Sequence, residues 1–101
     1  MIELYEFVSG RFVWDLRKEA LNVFRHGMTF AEASQAFLDP HRLILDDRLH
    51  STDEERYFCI GDVMGKIATV RFTHREGRIR IIGAGYWRKW RKLYEEKIEI
   101  R

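Results

Sequence analysis

The sequence predicts an α+β fold, and three observations predict it. Two segments with helical spacing come early, at residues 16–25 and 30–37. Four strand-like segments follow between residues 42 and 84, and a last helical segment begins near residue 86. That order describes helices packed on one face of a largely antiparallel four-stranded sheet, preceded by a short N-terminal strand or hairpin. At 101 residues the chain reads as a single domain, residues 1–101, with a modest core. A hydrophobic content of 46% excludes a wholly disordered chain.

The opening IELYEFVSGRFVWD alternates weakly around Ser9-Gly10, which places a turn between two short strands. Asp15 is positioned to cap a helix running to about Arg25. Leu16, Ala20, Val23 and Phe24 fall on one side of it, the spacing of a core face, while Lys18, Asn22 and His26 share a different, polar side. Gly27 is a natural left-handed stop. Thr29 and Glu32 have capping-box spacing for a second, short helix with the apolar stripe Phe30, Ala33 and Phe37, ended by Asp39-Pro40. RLILDD, RYFCIGDV, KIATVRFTHR and RIRIIGA then read as strands, the last two joined as a hairpin at Glu76-Gly77. In YWRKWRKLYEE, Trp87, Trp90, Leu93 and Tyr94 share one helical face, the spacing of a helix packed on the sheet, with base stacking by Trp87, Trp90 and Tyr94 as the other reading.

The net charge of +2 conceals an asymmetry: residues 39–62 hold seven acids against three bases, and residues 71–101 hold ten bases against four acids. A basic C-terminal third points to an anionic partner, or to offsetting of the two segments within the fold. Strand alternation sharpens this. Arg71, Thr73 and Arg75 share one face and Val70, Phe72 and His74 the other, while Arg78, Arg80 and Ile82 alternate with Ile79 and Ile81. One side of the hairpin is therefore apolar and the other a cluster of guanidinium groups. Such a cluster suits phosphate, because the forked donors bind in a bidentate way and the charge does not titrate away. Equally, Glu54, Glu55 or the C-terminal acids are available as internal partners.

The residues Trp14-Asp15, Lys18, Asn22, His26-Gly27, Phe30, Ala33, Phe37 and Asp39-Pro40 fall in a recurring order. After them come Glu54, Arg56, Gly61, Thr73, Arg75 and Arg80-Ile81-Ile82. Over residues 12–96 the chain thereby resembles the BrnT toxins, ribonucleases of type II toxin–antitoxin systems. The resemblance implies a compact RelE-like domain, endoribonuclease activity that blocks translation, and a BrnA-type antitoxin partner with a ribbon-helix-helix part. It also implies that operator DNA is met only through the antitoxin complex. Many relatives read Ile-Ser-Ala-Arg where this chain has Ile82-Gly83-Ala84-Gly85, so a serine and an arginine are missing, and Arg88 is the base at hand to replace the latter.

Cleavage of RNA through its 2′-hydroxyl needs a base, an acid for the leaving 5′-oxygen, and cations for the phosphorane-like charge. His26 is the titrating candidate, at a helix C-terminus where a cationic ring is favourable, or else it caps and packs. Lys18 is a candidate phosphate ligand or base, or a solvated lysine. Arg75 and Arg80 are placed to hold the scissile phosphate, with Thr73 as a neutral donor. Arg56, Arg71, Arg78 and Arg88 are candidate RNA contacts, and Glu54 a group that orients them. His41, His50 and His74 lack metal-ligand spacing, so neither a metal nor another cofactor is expected. Cys59 alternates into an apolar strand and reads as core. No stretch approaches the roughly 20 apolar residues of a membrane span. An N-terminus with acids and no basic leader pattern, together with a lone cysteine, suggests a cytoplasmic protein. A monomer or dimer alone and a hetero-oligomer with antitoxin are the expected assemblies. Two other readings stay open: a degenerate toxin that only binds its antitoxin, and a nucleic-acid-binding module without chemistry.

Overall fold

Two tight turns organise the sheet. Met64-Gly65 (φ 51° and 89°) and Glu76-Gly77 (φ 51° and 77°) each place two successive residues in the left-handed region. Two-residue hairpins need that geometry if the turn is to match the right-handed twist of the strands it joins. In the computed structural model, which describes residues 6–100, these turns link β4 (Tyr57–Val63), β5 (Lys66–Arg75) and β6 (Arg78–Gly85). With β3 (Leu43–Asp46) they form the antiparallel meander that the alternation predicts.

The N-terminal hairpin, β1 (Glu6–Ser9) and β2 (Phe12–Asp15), joins the same sheet, and the part of the predicted first strand before Glu6 lies outside the described residues. The sheet is therefore six-stranded and mixed, in the order β1-β2-β6-β5-β4-β3. Its parallel pair, β2 with β6, aligns Phe12 with Ile79 and Val13 with Arg80. β6 is thus an interior strand.

Local capping follows the sequence closely. Helix α1 (Leu16–His26) starts at Asp15, whose carboxylate accepts the N–H groups of Arg17 and Lys18. It stops at Gly27 in the left-handed conformation. The Thr29–Glu32 capping box is complete, yet α2 spans only Phe30–Ala33 before tightening into a 3-10 turn, Ser34–Leu38. Helix α3 covers Arg88–Ile100, so Trp87 precedes it rather than sharing its stripe.

Helices lie on both faces of the sheet, not on one as the order of elements suggests. On the first face Cys59, Gly61, Val63, Val70 and Phe72 meet α2 and the 3-10 turn. A β-carbon at Gly61 would stand 2.6 Å from the Ala36 carbonyl oxygen, so that turn lies directly on the strand. Phe58 has the opposite parity, and its ring lies 5.0 Å from Trp90 of α3. Alternation specifies both faces but not which helix takes which.

The expected core face of α1 is a second correction. Leu16, Ala20, Val23 and Phe24 are exposed, Phe24 by 88%, and Asn22 is the buried residue of this helix. Its amide donates to the Met28 carbonyl (2.9 Å) and accepts the Ala84 N–H (3.0 Å). Because α1 runs beside β6 beyond the end of β2, it satisfies the backbone of β6 with a polar side chain and turns its apolar stripe to solvent.

Buried carboxylates make the fold sensitive to acid. Burial works to raise the Asp39 carboxyl, but the Tyr94 hydroxyl and the Asp62 and His41 N–H groups donate to it and hold it below 3.8. At Asp15 the Arg17 side chain, and then the backbone N–H groups, outweigh burial and lower it as well. A carboxyl lower in the folded than in the unfolded state stabilises above the unfolded value, and that contribution is lost as pH falls through the folded one. Asp39→Asn is accordingly expected to cost ~1–3 kcal/mol at pH 7 and to flatten the fall in melting temperature between pH 5 and pH 2. A melting series with the wild-type slope would remove Asp39 from this role.

Candidate functional site

The polar face of the β5–β6 hairpin carries Arg71, Thr73, Arg75, Arg78 and Arg80, opposite the buried Val70, Phe72 and Ile81. Thr73 stands across from Arg80 and Arg75 across from Arg78. A bulge at Ile82 then shifts the register, so Gly83 rather than Ile82 faces Arg71. The predicted alternation holds up to that bulge.

Acids are interleaved among these arginines. Arg80 is 8% exposed, and its Nη1 donates to Glu6 Oε1 at 2.6 Å. Arg75 Nη1 lies 3.8 Å from the same oxygen, and its Nη2 lies 3.9 Å from Glu54. Glu54 also stands 3.6 Å from Arg56. The buried Thr73 hydroxyl donates to the Glu55 carbonyl (2.7 Å), and Arg78 Nε to the Gly10 carbonyl at the rim (3.2 Å). Of the arginines in this group, Arg75 keeps nearly half its side chain in solvent, whereas Arg80 is enclosed and paired.

A cleft of about 270 Å³ opens farther along this face, between α1 and β6. Lys18, Arg25 and His26 line it from the helix, Arg71 and Gly83 from the sheet, and Trp87 from the chain leading into α3. The spacing of Lys18, Asn22 and His26 turns all three toward β6, which is how helix and sheet cations come to one place. Arg71 Nε is buried without a hydrogen-bond partner among the described residues, and the buried Asp47 carboxylate lies 3.8 Å away. Asp47 is held in turn by His50 Nδ1, 2.8 Å from one of its oxygens. The predicted residues therefore fall in two groups: Lys18, His26 and Arg71 share the cleft, while Arg56, Thr73, Arg75, Arg80 and Glu54 lie toward the hairpin tip. Arg88 lines a second cleft beyond Trp87.

Other groups take no visible part. Cys59 is fully buried, and desolvation pushes its thiol up to about 12, so it stays protonated in the core. Among the described residues no three His, Cys, Asp or Glu side chains converge as metal ligands would. Among the described residues no helix is long and apolar enough to cross a membrane.

Sequence reasoning missed Glu6 and Asp47. Glu6 reaches Arg80 across 74 positions, a separation that leaves no local signal. Trp87 lies just before the helix whose stripe its spacing fits, and a signal that separates it is Gly85 two residues earlier.

An α+β domain with an arginine-rich sheet face, partly neutralised by Glu6 and Glu54, and a cationic cleft beside one histidine is the class the geometry shows. The family model described as ribonuclease toxin, BrnT, of type II toxin–antitoxin system matches residues 14–90, and the chain belongs to that family. Comparison with curated proteins gives no match.

Proposed function

We propose that this chain is a metal-independent endoribonuclease that cuts RNA through the 2′-hydroxyl, blocks translation in the cytoplasm, and is neutralised by a BrnA-type antitoxin. The observation that carries this reading is the meeting of Lys18, His26 and Arg71 in one cleft. In this mechanism His26 accepts the 2′-hydroxyl proton as the 2′-oxygen attacks phosphorus. The bond from phosphorus to the 5′-oxygen breaks, leaving a 2′,3′-cyclic phosphate, and the 5′-oxygen takes a proton from the Lys18 ammonium. Arg71 neutralises the non-bridging oxygens, which carry most charge in the transition state. Arg75 and the rim residue Arg78 extend the cationic path along the strand, and Glu54 and the Arg80-bound Glu6 position Arg75. Cleavage of single-stranded RNA in EDTA, lost in His26→Ala, tests the proposal. Intact RNA with folded wild-type protein would favour a toxin that has kept only antitoxin binding, a reading that draws on the internal pairing of Arg75 and Arg80.

The exposed stripe of α1 supports the antitoxin part of the proposal. Leu16, Val23 and Phe24 form an exposed apolar surface bordered by Arg17, complementary to an amphipathic segment with an acidic border. Phe24→Ser is expected to weaken the antitoxin complex roughly 10-fold or more, the range of an exposed aromatic anchor, at an unchanged melting temperature. Wild-type affinity in titration calorimetry would place the antitoxin elsewhere.

A further inference from the structure

Trp87 is the wall between two clefts. On one side lie Lys18, His26 and Arg71; on the other a cleft of about 540 Å³ is lined by Lys66, Tyr86, Arg88 and Arg91, with Glu95 as its one carboxylate. The indole is held in place, its ring centre 5.3 Å from that of His26. Gly85 makes the room: a β-carbon there would stand 2.8 and 2.9 Å from the ring carbons Cη2 and Cζ3 of Trp87. Packing does not require this arrangement, since Trp90, Leu93 and Tyr94 already turn α3 toward the protein. Trp87 nevertheless stays 39% exposed and Tyr86 43%, and the Lys66 ammonium lies 5.6 Å from the centre of the Tyr86 ring.

Exposed aromatic faces alternating with cations are what an unpaired nucleic-acid strand recognises, because each base has a face to stack and each linkage a charge to neutralise. An acidic peptide would use the cations but leave the ring faces idle. We infer that Trp87 and Tyr86 stack an unpaired nucleobase next to the cleaved linkage, and that Lys66, Arg88 and Arg91 bind the phosphate of the adjoining nucleotide. This subsite rests on the ribonuclease reading and deepens it: the substrate is single-stranded and extends at least one nucleotide past the cleaved step. It also gives Gly85 a purpose, since a side chain there would displace the platform.

The test is the affinity of an uncleavable 2′-O-methyl single-stranded oligonucleotide at fixed salt, by fluorescence anisotropy, beside a duplex of the same sequence and a polyglutamate competitor. Trp87→Ala should weaken single-strand binding roughly 5- to 100-fold, the range of one base-stacking contact. Gly85→Val should weaken it comparably with the indole still present, and Trp87→Phe should restore most of the affinity. Equal binding by Trp87→Ala and wild type, an equal loss on duplex, or displacement by polyglutamate would each overturn the subsite. The two proposals fail separately. RNA cleavage by wild type with binding indifferent to Trp87 removes the subsite alone. Trp87-dependent binding of the single strand without cleavage keeps the subsite and removes the ribonuclease.

Discussion

His26→Ala is expected to lower RNA cleavage by roughly 10²- to 10⁴-fold, the usual worth of a positioned general base. The fold should hardly notice. His26 is an exposed residue at the end of α1, and substitutions of that kind usually change stability by less than about 0.5 kcal/mol. Its ring centre lies 5.3 Å from that of Trp87, a contact at the surface of the fold, and Gly85 leaves the room that both rings occupy. The measurement is single-turnover cleavage of a short RNA in EDTA, with melting curves of both proteins. Cleavage that persists at the wild-type rate would remove His26 from the reaction. Lys18 and Arg71 would then remain as anion ligands in search of another base, with the Asp47-bound His50 the next to test.

Arg80→Ala is expected to act through stability instead. Its guanidinium and the Glu6 carboxylate are 10% and 13% exposed and meet at 2.6 Å. Removing the guanidinium leaves the Glu6 carboxylate desolvated with only the half-exposed Arg75, 3.8 Å away, beside it, at a cost of about 3–5 kcal/mol. For a domain of this size that corresponds to a melting temperature lower by roughly 15–30 °C. The same pair ties β6 to β1, so its loss should also loosen the N-terminal hairpin. Replacing both residues with apolar ones, Glu6→Leu with Arg80→Met, should recover much of the loss, since no charge is then stranded. A wild-type melting temperature for Arg80→Ala, combined with lost cleavage, would show that Arg80 spends its charge on RNA and not on Glu6. Arg75, with 45% of its side chain in solvent, can be replaced without that ambiguity.

Wherever the deciding interaction spans only a few residues, the chain could be read directly. The Asp15 cap, the Gly27 stop, the Thr29–Glu32 box and the Glu76-Gly77 turn each depend on neighbours within about four positions, and all stand where their chemistry puts them. The two-residue period of β5 likewise separated Arg71, Thr73 and Arg75 from Val70 and Phe72 before any pairing was known. The common polar side of Lys18, Asn22 and His26 followed in the same way from the helical period.

Tertiary structure decided what those sides meet. An amphipathic helix announces an apolar side, not that the side is buried; α1 lies along a strand whose Ala84 N–H needs an acceptor, so Asn22 faces inward and Phe24 faces water. The arginine face could be open or neutralised, and Glu6, brought 74 positions to Arg80 by the parallel β2–β6 pairing, neutralises part of it. Trp87 fits a helical stripe by spacing alone, but the room beside Gly85 sends it to His26 instead. The sequence by itself thus determined the elements, their caps and the two sides of each. Which sides meet was left to the fold, because burial and long-range pairing depend on residues far apart in the chain, whose proximity no local period encodes.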